Sequence, residues 1–452
     1  MAGRIDAVPT EILDGIFGAY DIRGICPDEL SPSVARGVGY AFAEWSAMSQ
    51  LVLGRDMRSS GVALATAFAD GARAAGVDVI DIGLASTDLL YFASGHLNLP
   101  GAMLTASHNP ASYNGIKLCR PGAAPVGAGS GLDEIARRAA QGAPASQGGG
   151  GHSTLDLLDT FAAHVRSFVD VAALEPLRVV ADTANGMGGL VVPAVFEPLP
   201  FEWELMYGEL DGTFPNHPAD PIQPENLVDL SERVRGTGAD VGLAFDGDAD
   251  RVFLVDEHGR AVSGSLLTAL VAQAMLRRCG PGPILHNLIC SRAVPEAITE
   301  AGGQPIRTRV GHSFIKAEMA RTGAVFGGEH SGHYYFADNY RADSGLIAGL
   351  IALEQLSAAA VPLSELLAPL DRYASSGEIN MRVADVDEVM RRVAAHFASH
   401  PHDRLDGLTV DGGEWWFNLR PSNTEPLLRL NLEAPDAAAV AARASEIMTL
   451  LA

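Results

Sequence analysis

Four short polar segments of this chain combine residue types that could do chemistry. They cover residues 105–110, 246–251, 328–333 and 420–426. Together they offer a nucleophilic hydroxyl, three carboxylates for a cation, polar groups suited to a sugar ring and a turn suited to an anion. Each segment alone is also compatible with an ordinary polar loop, so the functional interpretation rests on the combination.

The first segment centres on Ser107, which lies between the apolar run 102–104 and the turn signal Asn109-Pro110. Its hydroxyl is a candidate nucleophile. A turn rich in hydrogen-bonding side chains is the simpler explanation of this segment taken alone. A Ser-His-Asp hydrolase is disfavoured, because Ser107 lacks the Gly-x-Ser-x-Gly surroundings of a hydrolase elbow.

The second segment places Asp246, Asp248 and Asp250 at alternate positions. An extended backbone would point these three side chains to one side. Clustered carboxylates are costly unless a cation neutralises them, and their hard oxygens suit Mg²⁺. The EF-hand calcium pattern requires glycine at its sixth position, where Arg251 stands. We therefore predict a metal-binding turn between two strands, with a solvated acidic turn as the alternative.

The remaining two segments offer hydrogen-bonding groups on tight turns. The third could bind a polyhydroxyl ring through carboxylate, hydroxyl and imidazole groups, which come from Glu329, His330, Ser331 and His333. The fourth could grip a phosphate dianion through a guanidinium, two hydroxyls and an amide, which come from Arg420, Ser422, Asn423 and Thr424. A plain glycine-rich turn and a polar hairpin loop remain alternatives.

The elements that must position these segments repeat one pattern. An apolar run, a polar loop, a helical stretch and a second apolar run begin at residues 51, 178 and 284. This succession is typical of βαβ units. It predicts helices over 62–75 and 293–300, followed by strands over 77–82 and 305–310. A further helix is predicted over 155–169.

The pattern predicts three related mixed α/β domains, and it changes after residue 378 to that of a smaller C-terminal α+β domain. The expected limits are 1–153, 154–256, 257–370 and 371–452. The segment 139–153 is rich in Gly, Ala, Ser and Gln, which is the composition of a linker.

The composition is that of a folded protein, since 47% of the 452 residues are apolar. The formal charge of −23 disfavours a nucleic-acid binder, which should present a basic face. The four cysteines have neither metal-ligand spacing nor the look of a disulfide framework. The N-terminus lacks the apolar core of a signal peptide, and the apolar stretches are too short to span a bilayer. A cytoplasmic protein without membrane or nucleic-acid partners is expected.

In order and spacing, the segments resemble the α-D-phosphohexomutase family, most closely its phosphomannomutase/phosphoglucomutase branch. The family pattern is matched at every position of 105–110, and further matches occur at 20–24, 115–117 and 310–316. Asn423 favours the mannose/glucose branch, because phosphoglucosamine mutases usually carry glycine there. The resemblance covers nearly the whole chain.

The resemblance implies a role for each segment. Ser107 would carry the transferable phosphoryl group, and one Mg²⁺ ion would be bound by that phosphate together with Asp246, Asp248 and Asp250. Catalytic roles are implied for Arg23, His108, Lys117 and His312. Substrate contacts are implied for Arg251, Glu329, Ser331, His333, Arg420, Ser422, Asn423 and Thr424.

The implied activity is interconversion of hexose 1-phosphate and hexose 6-phosphate through a 1,6-bisphosphate, which would also act as an activator. The four domains would surround a central cleft, and the chain would be a monomer or a homodimer. A phosphoglucosamine mutase, a metal-dependent sugar-phosphate phosphatase and a sugar-phosphate sensor remain alternatives. One departure is Ile289, where relatives often carry lysine. Lys316 or Arg309 would then supply the basic group, or substrate handling differs.

Overall fold

The structure is a computed structural model that describes residues 4–144, 149–421 and 427–451, apart from the side chains of residues 312 and 313. The predicted series of mixed α/β layers, followed by a smaller α+β region, is confirmed. The backbone forms two compact units. One unit consists of Met1–Ser263 and Ser331–Leu366, and the other of Gly264–His330 and Leu367–Ala452.

The N-terminal region is a mixed sheet, and the candidate serine follows the carboxyl end of one of its inner strands. Its strands are β1 (Ile22–Ile25), β2 (Gln50–Arg55), β3 (Asp78–Leu84), β4 (Gly101–Leu104), β5 (Tyr113–Arg120), β6 (Ala124–Pro125) and β7 (His152–Thr154). Their order is β1-β5-β4-β2-β3-β7, with β6 beside β5. Strands β4, β2, β3 and β7 run parallel, whereas β5 is antiparallel to β4 and β1.

The helices of this region are α1 (Thr10–Ile16), α2 (Pro32–Ser46), α3 (Gly61–Ala74), α4 (Thr87–Leu97) and α5 (Leu132–Ala139). Helices α2 and α3 share one apolar core with β2, to which Phe42, Phe68 and Leu53 contribute. Helix α2 begins where the Ser31 hydroxyl accepts a hydrogen bond from the Val34 amide, with Pro32 at its first turn. The polar loops are thereby left at the strand ends.

The next region is a five-stranded sheet in the order β12-β11-β10-β8-β9. Its strands are β8 (Arg178–Asp182), β9 (Glu202–Met206), β10 (Val241–Phe245), β11 (Val252–Asp256) and β12 (Ala261–Val262), and its helices are α6 (Leu158–Arg166), α7 (Gly188–Phe196) and α8 (Val228–Thr237). Strands β8, β9 and β10 are parallel, and β10 and β11 form an antiparallel hairpin. All residues of β10 and β11 are buried, so these strands read as continuous apolar runs.

A third layer begins with α9 (Gly264–Cys279), β13 (Pro283–Asn287), α10 (Ala293–Glu300), β14 (Gln304–Thr308), α11 (His312–Thr322) and β15 (Phe326–Gly328). Strand β13 is central and parallel to both β14 and β15. The chain then returns to the first unit with β16 (Tyr334–Phe336), α12 (Gly345–Ala359) and α13 (Leu363–Leu367). Short 3₁₀ helices lie at Pro121–Ala123, Val171–Ala173, Pro224–Leu227 and Ala337–Asn339.

The C-terminal region is an antiparallel sheet in the order β17-β21-β20-β19-β18, with two helices. Its elements are β17 (Ala374–Met381), α14 (Val386–His396), β18 (His402–Asp403), β19 (Leu408–Asp411), β20 (Trp416–Pro421), β21 (Leu428–Ala434) and α15 (Ala437–Leu451). Apolar residues of the sheet and both helices form one core, with Phe397 and Phe417 among its buried rings. Within the described ranges, no helix is both long and apolar enough to cross a bilayer.

Candidate active site

Ser107 lies in a tight turn after β4, within a segment (residues 105–113) that we call the serine loop. Its backbone has a φ of 52°, in the left-handed region that non-glycine residues rarely adopt. The side chain is buried, and its Oγ donates a hydrogen bond to Asp246 Oδ2 at 2.7 Å. His108 Nδ1 lies 3.2 Å from the same hydroxyl. The carboxyl end of β4 thus presents the Ser107 hydroxyl to Asp246, which is the first residue of the aspartate triplet (Asp246, Asp248 and Asp250).

The aspartate triplet occupies the turn of the β10–β11 hairpin, which confirms the predicted strand-to-strand turn. The expectation of an extended backbone between the carboxylates was wrong, because residues 247–250 form a turn in which Ala249 has a φ of 60°. The turn nevertheless brings one oxygen of each carboxylate within 4.8 Å of the others. All three residues are at most 1% exposed. Chain reversal, not strand alternation, groups the carboxylates.

The triplet fits a hard divalent cation. Lys117 Nζ occupies one oxygen of Asp248 and one of Asp250, at 2.7 Å from each Oδ2. Among the described residues, neither Asp248 Oδ1 nor Asp250 Oδ1 has a hydrogen-bond partner. A buried acceptor without a donor is costly, and carboxylate oxygens are the ligands that Mg²⁺ prefers. These residues could therefore hold the metal ion that the sequence predicted.

The electrostatics of the triplet reflect its burial. Burial raises the pKa of the Asp246 carboxyl, which the charge of Arg251 opposes. In Asp248 burial acts in the same direction, but the charge and hydrogen bond of Lys117 outweigh it and lower the pKa. A bound cation would favour the charged form of each carboxylate further.

Two arginines that were predicted to be site residues flank the serine loop. Arg251 is buried, and its Nε donates to Asp246 Oδ2 at 2.9 Å. Its Nη2 has no hydrogen-bond partner within the described part of the chain, which leaves a buried cationic donor available to an anion. Arg23 donates to Asn109 Oδ1 and to Asp21 Oδ2.

The environment of His108 keeps its imidazole neutral. Burial holds the pKa of His108 well below its usual range, and the charges of Arg251 and Arg23 add to this effect. A neutral ring beside the serine hydroxyl can offer one donor and one acceptor nitrogen.

Ser331 and His333 join this cluster through the backbone. Residues Arg251 and His333 form an antiparallel bridge, and the Val252 amide donates to the Gly332 carbonyl at 3.4 Å. His333 Nδ1 lies 3.2 Å from Ser331 Oγ, and its Nε2 lies 3.8 Å from Asp250 Oδ1. The second half of the predicted sugar loop therefore adjoins the metal turn.

The first half of that loop belongs to the other compact unit. Glu329 is buried after β15, and its Oε1 accepts hydrogen bonds from Asn287 Nδ2 at 3.2 Å and from the Gly311 amide at 3.1 Å. His330 Nδ1 lies 2.9 Å from Ser265 Oγ. Ile289, where a lysine was expected by resemblance, is buried.

Arg420 lies near the end of β20 in the same unit as Glu329. It is buried, and its Nη2 donates to Glu378 Oε2 at 3.0 Å. Its Nε has no hydrogen-bond partner among residues that the structure describes. Ser422, Asn423 and Thr424 lie outside the described residues, as does the side chain of His312, so their predicted roles stay predictions.

The residues around Ser107 and the aspartate triplet form what we call the first cluster. Several of its members were not predicted from the sequence. Thr87 Oγ1 donates to Asp248 Oδ2 at 2.5 Å, and Asp220 lies 3.6 Å from Arg251 Nη1. His217 Nε2 lies 3.0 Å from Asp182 Oδ2 in the same region. These residues are far apart in the chain and lack a characteristic spacing. The run 215–221, with its three prolines, was a turn signal that could have drawn attention to this loop.

Four sequence profiles match the chain in succession. The phosphoglucomutase/phosphomannomutase alpha/beta/alpha domains I, II and III match residues 14–144, 159–259 and 263–373. The C-terminal domain of the same family matches residues 378–450.

Relatives with similar sequences cover almost the whole chain. Phosphohexose mutases of Xanthomonas campestris pv. campestris are 42% identical over 445 residues, which cover 96% of this chain and 98% of the relative. A phosphomannomutase of Salmonella montevideo is 40% identical over 448 residues, with the same coverage. A crystal structure of a phosphoglucomutase/phosphomannomutase family protein from Burkholderia thailandensis is similar with a TM-score of 0.88 at 33% identity, covering 97% of each chain.

Proposed function

The chain belongs to the phosphoglucomutase/phosphomannomutase family and is a hexose phosphate mutase, and we propose that it works through a phosphorylated Ser107. It interconverts hexose 1-phosphate and hexose 6-phosphate by way of a hexose 1,6-bisphosphate. The observation that supports this most directly is the hydrogen bond from Ser107 Oγ to Asp246, inside a buried cluster of three carboxylates and two cations.

Phosphoryl transfer at this site depends on position and charge more than on covalent chemistry. In the first half of the cycle the free sugar hydroxyl forms a new P–O bond as the bond to Ser107 Oγ breaks, and the hydroxyl proton ends on Ser107. In the second half Ser107 Oγ forms a new P–O bond to the other phosphate of the bisphosphate as the bond between that phosphate and the sugar oxygen breaks, and the Ser107 proton ends on that sugar oxygen. Arg251 Nη2, a buried donor without a described partner, is suited to an equatorial phosphoryl oxygen.

We assign Asp246, Asp248 and Asp250 as the residues that would hold one Mg²⁺ ion, together with the phosphate on Ser107. When bound, the ion would neutralise negative charge on the transferring phosphoryl group. Lys117 fixes one oxygen of Asp248 and one of Asp250, and its charge lowers the pKa of Asp248. The opposite oxygens, which accept no hydrogen bond from a described residue, are the ones left for the ion.

We assign recognition of the sugar hydroxyls to Glu329, Ser331 and His333, and recognition of the second phosphate to Arg420 and residues 422–424. Support comes from the burial of Glu329 and Arg420, since a buried polar group discriminates strongly between ligands that do and do not pair with it. Arg420 retains an Nε donor without a described partner.

The proposed substrates are mannose and glucose phosphates. This proposal rests on Asn423 in the predicted phosphate loop and on the phosphomannomutase names of relatives about 40% identical. The test is a side-by-side assay of mannose 1-phosphate, glucose 1-phosphate and glucosamine 1-phosphate, followed by phosphorus NMR. We expect the 6-phosphates of mannose and glucose to form at comparable rates. Exclusive turnover of glucosamine 1-phosphate would contradict the sugar assignment, and release of free phosphate would contradict the mutase mechanism.

A further inference from the structure

Arg58 lies between β2 and α3 and is a buried charge that the proposed chemistry does not use. Its side chain is 0% exposed, as is that of its partner Asp56. Taking a charged group out of water is expensive unless its hydrogen-bonding groups are all paired. The partners of Arg58 therefore indicate what the charge is for.

All five N–H groups of the Arg58 guanidinium have acceptors. The Nε group donates to Asp56 Oδ2 at 3.2 Å, and the backbone amide of Arg58 donates to Asp56 Oδ1 at 3.0 Å. The other four N–H groups reach backbone carbonyls of the serine loop. Nη2 donates to Ser107 at 2.9 Å and Asn109 at 2.7 Å, and Nη1 donates to Pro110 at 2.8 Å and Tyr113 at 2.9 Å.

These four carbonyls belong to the segment that must hold Ser107 in its left-handed conformation. Such a conformation persists only where surrounding contacts fix it. The Arg58 fork binds the carbonyl of Ser107 itself and three carbonyls that follow it. A fork of rigid, planar geometry can gather several acceptors that a lysine ammonium, with three donors at one point, cannot.

The opposite side of Arg58 is held by a loop of the second sheet, residues 207–223. The Phe214 ring lies 5.1 Å from the guanidinium carbon, within the range of a cation–π contact. Gly212 lies so close that an added Cβ would be 2.6 Å from Arg58 Cα. The same loop supplies Asp220, the ion-pair partner of Arg251. One guanidinium thus connects the serine loop to the loop that braces the phosphate-binding arginine.

We propose that Arg58 is a positioning residue for phosphoryl transfer, which fixes the serine loop so that Ser107 Oγ faces the Asp246 carboxylate. The inference rests on the proposed role of Ser107. Because the Arg58 side chain is fully buried, it acts through the loop and touches no substrate. Its loss therefore affects the rate of transfer and leaves substrate affinity in place.

The test compares Arg58→Lys with Arg73→Lys, a control that keeps charge at an arginine of α3 whose Nε donates to the Gly150 carbonyl. For Arg58→Lys we expect kcat to fall about 100-fold, because a reacting group displaced by about 1 Å loses that order of rate. KM for hexose 1-phosphate should stay within about threefold of wild type. Hydrogen–deuterium exchange should rise in peptides covering residues 105–115, with any further rise confined to residues 207–223, which Arg58 also contacts. The control should change none of these quantities.

Two results would overturn the proposal: an unchanged kcat, whether or not KM rises, or unchanged exchange in residues 105–115. Should Arg58→Lys fail to fold, Phe214→Leu removes the cation–π contact and keeps an apolar side chain. It should lower kcat about tenfold with the same exchange signature, and an unchanged kcat in this folded variant would equally refute the proposal.

The exchange measurement separates this inference from the proposed function. It reports order in the serine loop whether or not Ser107 carries phosphate. Wild-type protein that shows no phosphate on Ser107 and no mutase activity would contradict the proposed function alone. Increased exchange in Arg58→Lys would still establish that Arg58 holds the loop.

Discussion

Gly247 lies where the backbone of the turn at Asp246, Asp248 and Asp250 (the aspartate turn) packs tightly against the serine loop. A Cβ added at Gly247 would lie 2.4 Å from the Ser107 carbonyl oxygen, nearer than unbonded atoms tolerate. Glycine is therefore required because a side chain would not fit at this position, and not because of its backbone conformation. The distance between Ser107 Oγ and the Asp246 carboxylate depends on this contact.

Gly247→Ala should consequently separate the two loops and reduce kcat/KM about 100-fold. Gly236→Ala is the matched control, because an added Cβ there would meet no atom within 4 Å. The control lies in α8, where alanine is a better helix former, and it should keep full activity. Steady-state kinetics of both variants, with circular dichroism to verify folding, decide the matter. A fully active Gly247→Ala protein would show that the loops need not touch.

The metal site can be tested at Asp248, whose two oxygens differ in their surroundings. Asp248→Asn removes one ligand charge and should weaken Mg²⁺ binding more than about tenfold, since even partners of metal ligands contribute 10–100-fold. Titration calorimetry with Mg²⁺ alone measures this without reference to turnover. Asp28→Asn, at an exposed position, is the charge-matched control. Equal Mg²⁺ affinity in the two variants would refute the assigned ligand set.

For individual residues, the sequence predicts which residues belong to the site better than it predicts how they are arranged in space. Ser107 and the three aspartates were predicted from type and spacing, and the structure brings them together. The left-handed turn at Ser107 and the role of Arg58 were not predictable. Both depend on contacts between segments about 50 to 140 residues apart, and no local pattern encodes such contacts.

Helices and strands were predicted correctly where apolar residues recur with a clear period along the sequence. The helix expected over 293–300 is α10 (Ala293–Glu300), and the one expected over 62–75 is α3 (Gly61–Ala74). The helix expected over 155–169 is shorter, Leu158–Arg166, and the Leu158 amide at its start donates to the Asp156 side chain. Strand β17 begins at Ala374, before the change of pattern at residue 378, with a bulge between Ser375 and Glu378 that hides the alternation.

Two helix starts in the first unit share one buried carboxylate. Ser86 caps α4 and Ser344 caps α12, and both hydroxyls donate to Asp88, the latter at 2.6 Å. Burial raises the pKa of Asp88 to about 7, although both hydroxyl hydrogen bonds favour the charged form. The folded protein therefore binds this proton more tightly than the unfolded chain does, and stability should fall as pH rises from about 4 to about 7.

Asp88→Asn removes this titration and keeps a side chain that can pair with both hydroxyls. We expect the variant to lose less stability than wild type between pH 4.5 and 8, by a few kcal/mol at most. The free energy of unfolding in urea, measured across this range, is the test. Asp70→Asn, at an exposed carboxylate of α3, should leave the profile unchanged. A variant profile that parallels that of wild type would mean that Asp88 is already ionised at neutral pH.

The net charge of the whole molecule does not describe the charge that a substrate meets at the serine loop. The net charge of −23 repels anions at long range, yet the first cluster places Arg23, Lys117 and Arg251 around the serine loop. Screening limits the mean field to about 8–10 Å at ordinary ionic strength. A phosphorylated substrate at the site therefore meets cations first, and the acidic surface does not argue against it.

The proposed bisphosphate step has a consequence for the behaviour of the whole enzyme. If the bisphosphate leaves the enzyme before its other phosphate has been transferred to Ser107, the serine is left unphosphorylated and the enzyme cannot start another cycle. Specific activity should therefore decline on dilution and recover when glucose 1,6-bisphosphate is added. Mannose 6-phosphate at the same concentration is the control and should not restore activity. Full activity of a phosphate-free enzyme without any bisphosphate would contradict the cycle.

The most direct measurement follows the phosphoryl group itself. Enzyme labelled with radioactive phosphate on Ser107 is mixed with unlabelled mannose 1-phosphate in a single turnover, and the products are separated. We expect the label to leave the protein and to appear in mannose 1,6-bisphosphate and then in mannose 6-phosphate, whereas Ser107→Ala should take up no label at all. Label released as free phosphate, or label that stays on the protein while mannose 6-phosphate forms, would contradict the proposed cycle.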